Sequence, residues 1–323
     1  MAPTLPDADT LEVALGMAVR APSVHNTQPW LWRVTGDHIE LWADPDRHLP
    51  CTDPQRRALV VSCGAALHHL RVALAGLGWA PAVTRLPDPQ RPDLLAVIET
   101  VPRQPTDADI EMTAAILLRQ SDRRRYADWQ VPPGYIRTVS RNANRFGAAV
   151  RHVPGGLRAR LAESMRRAAD RHAEDPDYLR ELAAWSGRHG TPDGVPARNT
   201  PPPRLADEIP SRLFADPVLH DANASTDAAE WLVVCTAADG RRFQLSAGEA
   251  TSALLLTATD LGLSTCIQTE PLGMQDLRHE IRRSVLHDCA FAQTMVRIGW
   301  VPANTPPLPT TPRRAVADVL DAG

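Results

Sequence analysis

Apolar positions recur at helical spacing along much of the chain, with short β-branched runs between them. Over residues 9–19, Leu11, Ala14, Leu15 and Ala18 share one side of a helix that Asp9 or Thr10 can cap and Pro22 stops. Leu31–Val34 and Ile39–Trp42 read as strands around a Gly36–Asp37 turn, a hairpin. Ala58–Leu77 is a long apolar helix closed by Gly78, and Leu94–Ile98 is a strand. A second cycle begins with a helix over Ala108–Leu118, for which Thr106 or Asp107 is the cap. Arg119–Tyr126 reads as a basic loop and Ala148–His152 as a strand. Amphipathic helices are predicted over Leu157–His172 and Tyr178–Trp185. Trp231–Thr236 is a strand and Gly248–Leu261 a helix of small residues. Ser264–Gln268 and Thr294–Ile298 are strands, and Pro302–Pro312 is a Pro-rich tail.

Residues 187–227 break this rhythm. They are rich in Pro, Asn, Asp and Gly without periodicity, and so long a loop inside a domain reads either as a lid over a pocket or as a surface loop. A repeat is also visible. Ser62-Cys63-Gly64-Ala65-Ala66 and Ser246-Ala247-Gly248-Glu249-Ala250 each open an apolar helix that ends in Leu-Gly, and 184 residues separate Gly64 from Gly248 and Gly78 from Gly262. Two unrelated Ala/Leu-rich helices could look alike. A duplication would mean two similar domains whose small-residue helices pack closely, as in a dimer interface fused into one chain.

Composition narrows the classes. With 323 residues the chain suits two modest domains, and 43% apolar residues can fill their cores. A net charge of −3 gives no electrostatic case for nucleic acid or an acidic membrane. There is no Lys, so an anion site must use Arg or backbone N–H groups, and a Schiff-base lysine is excluded. The five Cys form no Cys-x-x-Cys pair, which argues against a zinc ribbon or thioredoxin motif. The start is acidic and polar, and no apolar run approaches the ~20 residues of a membrane span. A cytoplasmic protein with reduced thiols is expected. His68 and His69 are neighbours on a helix, point about 100° apart, and read as packed residues before metal ligands.

Three segments carry candidate chemistry. Ala21-Pro22-Ser23-Val24-His25-Asn26-Thr27-Gln28-Pro29-Trp30 gathers hydroxyl, imidazole and amide groups in a Pro-bounded loop. Such groups match the donor–acceptor edge of a planar heteroaromatic ligand, though an ordinary capped loop has the same composition. Arg119-Gln120-Ser121-Asp122-Arg123-Arg124-Arg125-Tyr126 suits a phosphate monoester, or is a solvated basic loop. Arg313 and Arg314 in the tail can close over an anion or stay mobile.

Here a resemblance becomes specific. Ala-Pro-Ser-x-x-Asn-Thr-Gln-Pro-Trp resembles the flavin-facing loop of the nitroreductase family, and Arg119-x-Ser121-x-Arg123 resembles its phosphate motif. Gly262-Leu263-Ser264-Thr265 with Glu270-Pro271-Leu272-Gly273 resembles its second flavin-contact region. Gly299-Trp300, the tail and Arg313-Arg314 resemble its C-terminal phosphate arm. The Ala-Pro-Ser-Val-His-Asn variant looks most like the fused, Acg-type branch. The order departs from the ordinary family pattern, because the amide-rich loop precedes the Arg motif by nearly a hundred residues. The first half lacks an Arg-x-Ser-x-Arg and the second lacks an Asn-x-Gln-Pro-Trp.

The resemblance implies an α+β fold of two fused nitroreductase-like α/β halves forming an intrachain pseudo-dimer. The halves would be 1–104 and 105–323, the second with a lid-like insertion over about 187–227. It implies one FMN per chain, acting as a monomer that mimics a dimer. Arg119, Ser121, Arg123, Arg313 and Arg314 would hold the phosphate, and Ser23, Asn26 and Gln28 would orient the ring or brace its loop. Glu270, Pro271 and Leu272 would lie near the ring, and His25 would touch substrate or shape the loop. NADH or NADPH would reduce the flavin, and a nitro compound, quinone or similar small-molecule acceptor would reoxidise it by ping-pong turnover. No Gly-x-Gly-x-x-Gly is needed for that. The competing readings are an FMN store with a closed lid, and a stress-response protein that acts through partners.

Overall fold

The computed structural model describes residues 4–204, 207–221 and 227–321. In the first half, helix α1 (Ala8–Ala18) leads into strands β1 (Trp30–Val34) and β2 (Ile39–Ala43). Asp7, rather than Asp9 or Thr10, caps α1, its carboxylate accepting from the Thr10 N–H at 2.8 Å. Helix α2 (Arg57–Gly76) then runs into β3 (Trp79–Arg85) and β4 (Leu94–Pro102). The expected hairpin forms, with Thr35 and His38 closing its turn. Strand β3 escapes the sequence pattern because its half-exposed residues include Pro81 and Ala80, poor strand formers.

Helix α3 (Asp107–Leu118) is capped by Thr106 in a capping box with Asp109. It is followed by α4 (Pro133–Asn144), which the sequence reading missed, and β5 (Ala149–Val153). Next come α5 (Gly155–Ala173), α6 (Pro176–Ala184) and the short paired strands β6 (Ser186–Arg188) and β7 (Val195–Pro196). Strand β8 (Glu230–Thr236), α7 (Arg241–Asp260), β9 (Ser264–Gln268), α8 (Gln275–Ser284) and β10 (Phe291–Gly299) complete the second half.

The two halves repeat one plan. Each builds an antiparallel four-stranded sheet, ordered β1-β2-β4-β3 in one and β5-β8-β10-β9 in the other. Each sheet bulges at the matching place, at Leu95 in β4 and Gln293 in β10. Helices α2 and α7 are both 20 residues long, and each is followed two residues on by a glycine with positive φ, Gly78 (90°) and Gly262 (77°). They pack on one another with reciprocal contacts. A Cβ on Gly64 would sit 2.9 Å from the Gly248 Cα, and one on Gly248 would sit 2.7 Å from the Gly64 Cα. Glycine at both positions is therefore what lets the backbones touch. His68 and Ser252, which also differ by 184 in number, hydrogen-bond at 2.8 Å.

By length and composition alone α2 passes as a membrane span. It is instead a core helix, with 83% of its apolar window buried. After β10 the tail crosses back to the first half. There Trp32 donates to Val319 O at 2.7 Å and accepts from the Asp321 N–H at 2.8 Å, a strand-like bridge along the free edge of β1. That crossing carries Arg313 and Arg314 to the Pro22–Gln28 loop.

Candidate functional site

A cleft lies between the halves. The first half contributes Pro22–His25 and the side of α2 bearing Ala58, Ser62 and Ala65. The second contributes Ser121, Arg123, Thr251, Ile267–Thr269 and Thr294. The amide-rich loop near the start of the chain and the Arg motif from its middle thus face one cavity. Of the expected site residues, Ser23, His25, Ser121 and Arg123 line it directly.

The loop is held in a costly shape. His25, Asn26 and Gln28 have φ of 51°, 55° and 52°, a left-handed conformation that costs non-glycine residues on the order of 1–3 kcal/mol each. Its own polar groups fix it. The Gln28 N–H donates to Ser23 Oγ at 2.9 Å, and Thr27 Oγ1 donates to Val24 O at 2.9 Å. Asn26 and Gln28 are buried as braces behind the cleft wall. Asn26 Nδ2 reaches Gly194 O at 3.0 Å and Pro312 O at 3.2 Å, while Gln28 Nε2 donates to Pro192 O and its Oε1 accepts from the Arg314 N–H, both at 2.9 Å. Arg314 itself lies against Asp44 at 3.7 Å and the Gln28 carbonyl at 3.4 Å.

The irregular segment after α6 forms a strap that reaches the cleft, where Pro201, Ser211, Arg212 and Phe214 are part of the lining. Arg212 hydrogen-bonds His25 Nε2 and stands 3.8 Å from the Glu270 carboxylate. Phe214 meets the His25 ring edge-on at 5.9 Å and lies under the Arg123 guanidinium at 5.0 Å. Burial first, then Arg212 and Arg123, hold the His25 pKa well below its ordinary value, so the ring is neutral and can accept from Arg212. Burial alone would raise the Glu270 pKa, but Arg212 and His172 outweigh it and keep the carboxylate below its usual range. Glu270, Pro271 and Leu272 are buried just behind the wall that Ile267–Thr269 form.

A smaller pocket, lined by Arg20, Arg119, Gln120, Thr310, Thr311 and Arg313, holds the other arginines of interest. Arg119 and Arg313 both donate to the Arg20 carbonyl, at 3.4 and 3.2 Å. Yet Arg119 Nε and Nη1, Arg313 Nε and Arg20 Nε are buried without a partner. Burial and then Arg20 lower the Arg119 pKa to about 10, and burial, Arg119 and Arg20 lower that of Arg313 to about 9. Guanidinium groups crowded together and desolvated, with donors unspent, form a site for a polyvalent oxyanion. Arg119 lies two residues before Ser121 in the cleft wall, so a phosphate ester on a planar ring fits the donor set of both cavities.

Sequence reasoning missed Arg20, Arg212 and Phe214. Arg20 stands immediately before Ala21-Pro22 and was legible as a cation beside the loop; the two strap residues lie in a segment without periodicity. Among the described residues no cluster of His, Cys, Asp and Glu could hold a metal ion.

No protein-family model matches the chain. Rv3131 of Mycobacterium tuberculosis, provisionally named an NAD(P)H nitroreductase, is 46% identical over 319 residues, covering 98% of this chain and 92% of that one. The acg protein of the same organism, provisionally given the same name, is 32% identical over 330 residues, covering 99% and 98%. The chain therefore belongs to the nitroreductase-like family that these proteins represent. Among solved structures, the FMN-dependent nitroreductase NfnB from Mycobacterium smegmatis in complex with NADPH aligns at a TM-score of 0.43 and 15% identity, covering 67% of this chain and 100% of that one. A nitroreductase with bound FMN from Bacteroides fragilis aligns at 0.41 and 15%, covering 64% and 95%.

Proposed function

We propose that the chain is an FMN-dependent NAD(P)H oxidoreductase with one flavin site per molecule. The observation that carries this reading is a pair of cavities linked through the Arg119–Ser121 stretch: a cleft lined by both halves, and a second pocket in which Arg20, Arg119 and Arg313 each keep a buried donor unspent. Arg119, Arg313 and Arg20 hold the phosphate, with Ser121 at its approach. Arg123 faces the ring as a fixed cation. Ser23 and His25 contact the ring or substrate, while Asn26, Gln28 and Arg314 hold the loop and tail in place. Glu270, Pro271 and Leu272 set the wall beside them.

When bound, FMN supplies two-electron chemistry, taking hydride from NADH or NADPH and delivering it to a nitro compound, quinone or similar acceptor. The protein's part is to orient, to exclude water and to fix charge. Reductant and acceptor each exchange electrons with the same flavin in turn, so turnover is ping-pong. The halves, 1–104 and 105–323, descend from the subunits of a homodimer joined in one chain, and the stretch about 187–227 acts as a lid. The test is anaerobic: purified protein carrying FMN is mixed with NADPH or NADH and its visible absorption followed. Rapid bleaching, reversed by a nitroaromatic or quinone, supports the reading. A protein that takes up no flavin, or flavin that neither nucleotide bleaches, refutes it.

A further inference from the structure

The duplication allows each wall residue of the cleft to be compared with its counterpart in the other half. The helices match at a spacing of 184 residues, which continues into β3 and β9, and the paired registers place Gln293 and Thr294 opposite Leu95 and Ala96 in the match. In the cleft the helix presents Ala65 and the strand end presents Thr269. Their counterparts are Glu249 and Arg85, and these two meet. Arg85 Nε lies 2.7 Å from Glu249 Oε2, Arg85 Nη2 lies 2.9 Å from Oε1, and Arg71 Nη1 completes the triad at 2.6 Å. The carboxylate has no exposure at all. Phe146, on the loop after α4 that answers to the Pro22–His25 loop, packs edge-on against His68 at 4.6 Å and beneath Arg71 at 5.2 Å.

We propose that the chain retains a second, closed copy of the cleft, sealed by the Glu249–Arg71–Arg85 triad, in which a planar ring would sit once the triad is removed. This rests on the flavin reading of the open cleft. A carboxylate withdrawn from water is stable only while both arginines face it, so the triad acts as a lock and not as a flexible filler. Small residues at the same two positions in the open cleft leave space where the triad fills it. The symmetry of the fold would provide two sites; these side chains leave one.

The experiment counts bound flavin by equilibrium dialysis. Wild-type protein is saturated with FMN and then offered riboflavin, which needs no phosphate grip. The same is done with Glu249→Ala combined with Arg85→Thr, the residues found in the open cleft. The expected result is a single FMN and no riboflavin on wild type, and a further equivalent of riboflavin on the double variant. A folded double variant that takes up FMN but no riboflavin overturns the proposal, as does a wild type that binds two flavins. A wild type that binds none defeats the parent reading and takes this proposal with it. Should the double variant not fold, Glu249→Ala alone carries the test, because Arg71 and Arg85 are 27% and 25% exposed and can turn to water.

Discussion

At the scale of single residues, the site depends on cations that have given up hydration without gaining a carboxylate. Arg119 and Arg313 spend donors on the Arg20 carbonyl and keep others free. A charge-assisted hydrogen bond contributes about 1.5–3 kcal/mol. Arg313→Met should therefore weaken FMN binding roughly ten- to a hundredfold. Riboflavin binding should stay within a factor of about two, since it lacks the anion. Flavin fluorescence titration checks both, and equal losses for the two ligands would mean that the arginine supports the fold and not the phosphate. Arg20→Met should show the same split, although nothing in the familiar motif marks that position. At the cleft, Arg212 ties the strap to His25 and Glu270. Arg212→Ala should speed flavin association and release by about tenfold each, roughly the kinetic equivalent of 1.4 kcal/mol from a lost buried contact. Stopped-flow mixing measures this, and unchanged rates would show that the strap does not gate.

At the scale of elements, legibility followed periodicity and burial. The sequence places β9 at its true bounds and α2 to within a residue, because β9 carries β-branched Thr265 and Ile267 just after Gly262, and α2 is apolar over most of its length before Gly78 stops it. Helix α7 starts at Arg241, well before the predicted Gly248, because Arg241, Arg242 and Gln244 hide its first two turns from a hydrophobicity reading. Helices α4 and α8 escaped altogether: each is short, mostly polar and buries only two or three side chains. The Arg motif and the loop were legible as chemistry, but their meeting was not, since it depends on long-range packing of α2 on α7. That packing makes a direct prediction. A methyl on Gly64 or Gly248 runs into backbone of the opposite helix, which cannot rotate away. Gly64→Ala should destabilise the protein by about 3 kcal/mol or more. Gly156→Ala, in α5 with open space around it, should be neutral or stabilise by about 0.5–1 kcal/mol. Urea denaturation of the pair decides; equal, small effects would mean that the helices do not touch so closely.

At the scale of the whole molecule, the seam between halves that creates the cleft also buries three histidines. His68 hydrogen-bonds Ser252 across the seam, His69 lies beside it facing Arg119 and Arg313, and His25 faces Arg212 and Arg123. Burial lowers all three, helped by the nearby arginines; His68 falls to about 3, with Arg71 as its neighbour, and the other two fall well below the ordinary value. The sign follows from proton uptake. Unfolded, each ring titrates near 6.5, whereas folded it stays neutral as the pH falls through that range. The unfolded chain therefore binds more protons below 6.5, so stability decreases as the solution is acidified, by up to about 1.4 kcal/mol per pH unit for each ring. Between pH 7 and pH 5 the three together should remove about 6 kcal/mol, a large part of what holds an ordinary domain together. Asp44 and Asp53, raised by burial, oppose this only once the pH approaches the carboxylate range. Urea midpoints at pH 7, 6 and 5 on flavin-free protein measure the slope. His68→Gln, which keeps a polar contact to Ser252 without the titration, should remove about a third of it. A midpoint unchanged from pH 7 to pH 5 would mean that water reaches the seam, and with it the anion pocket whose strength depends on staying dry.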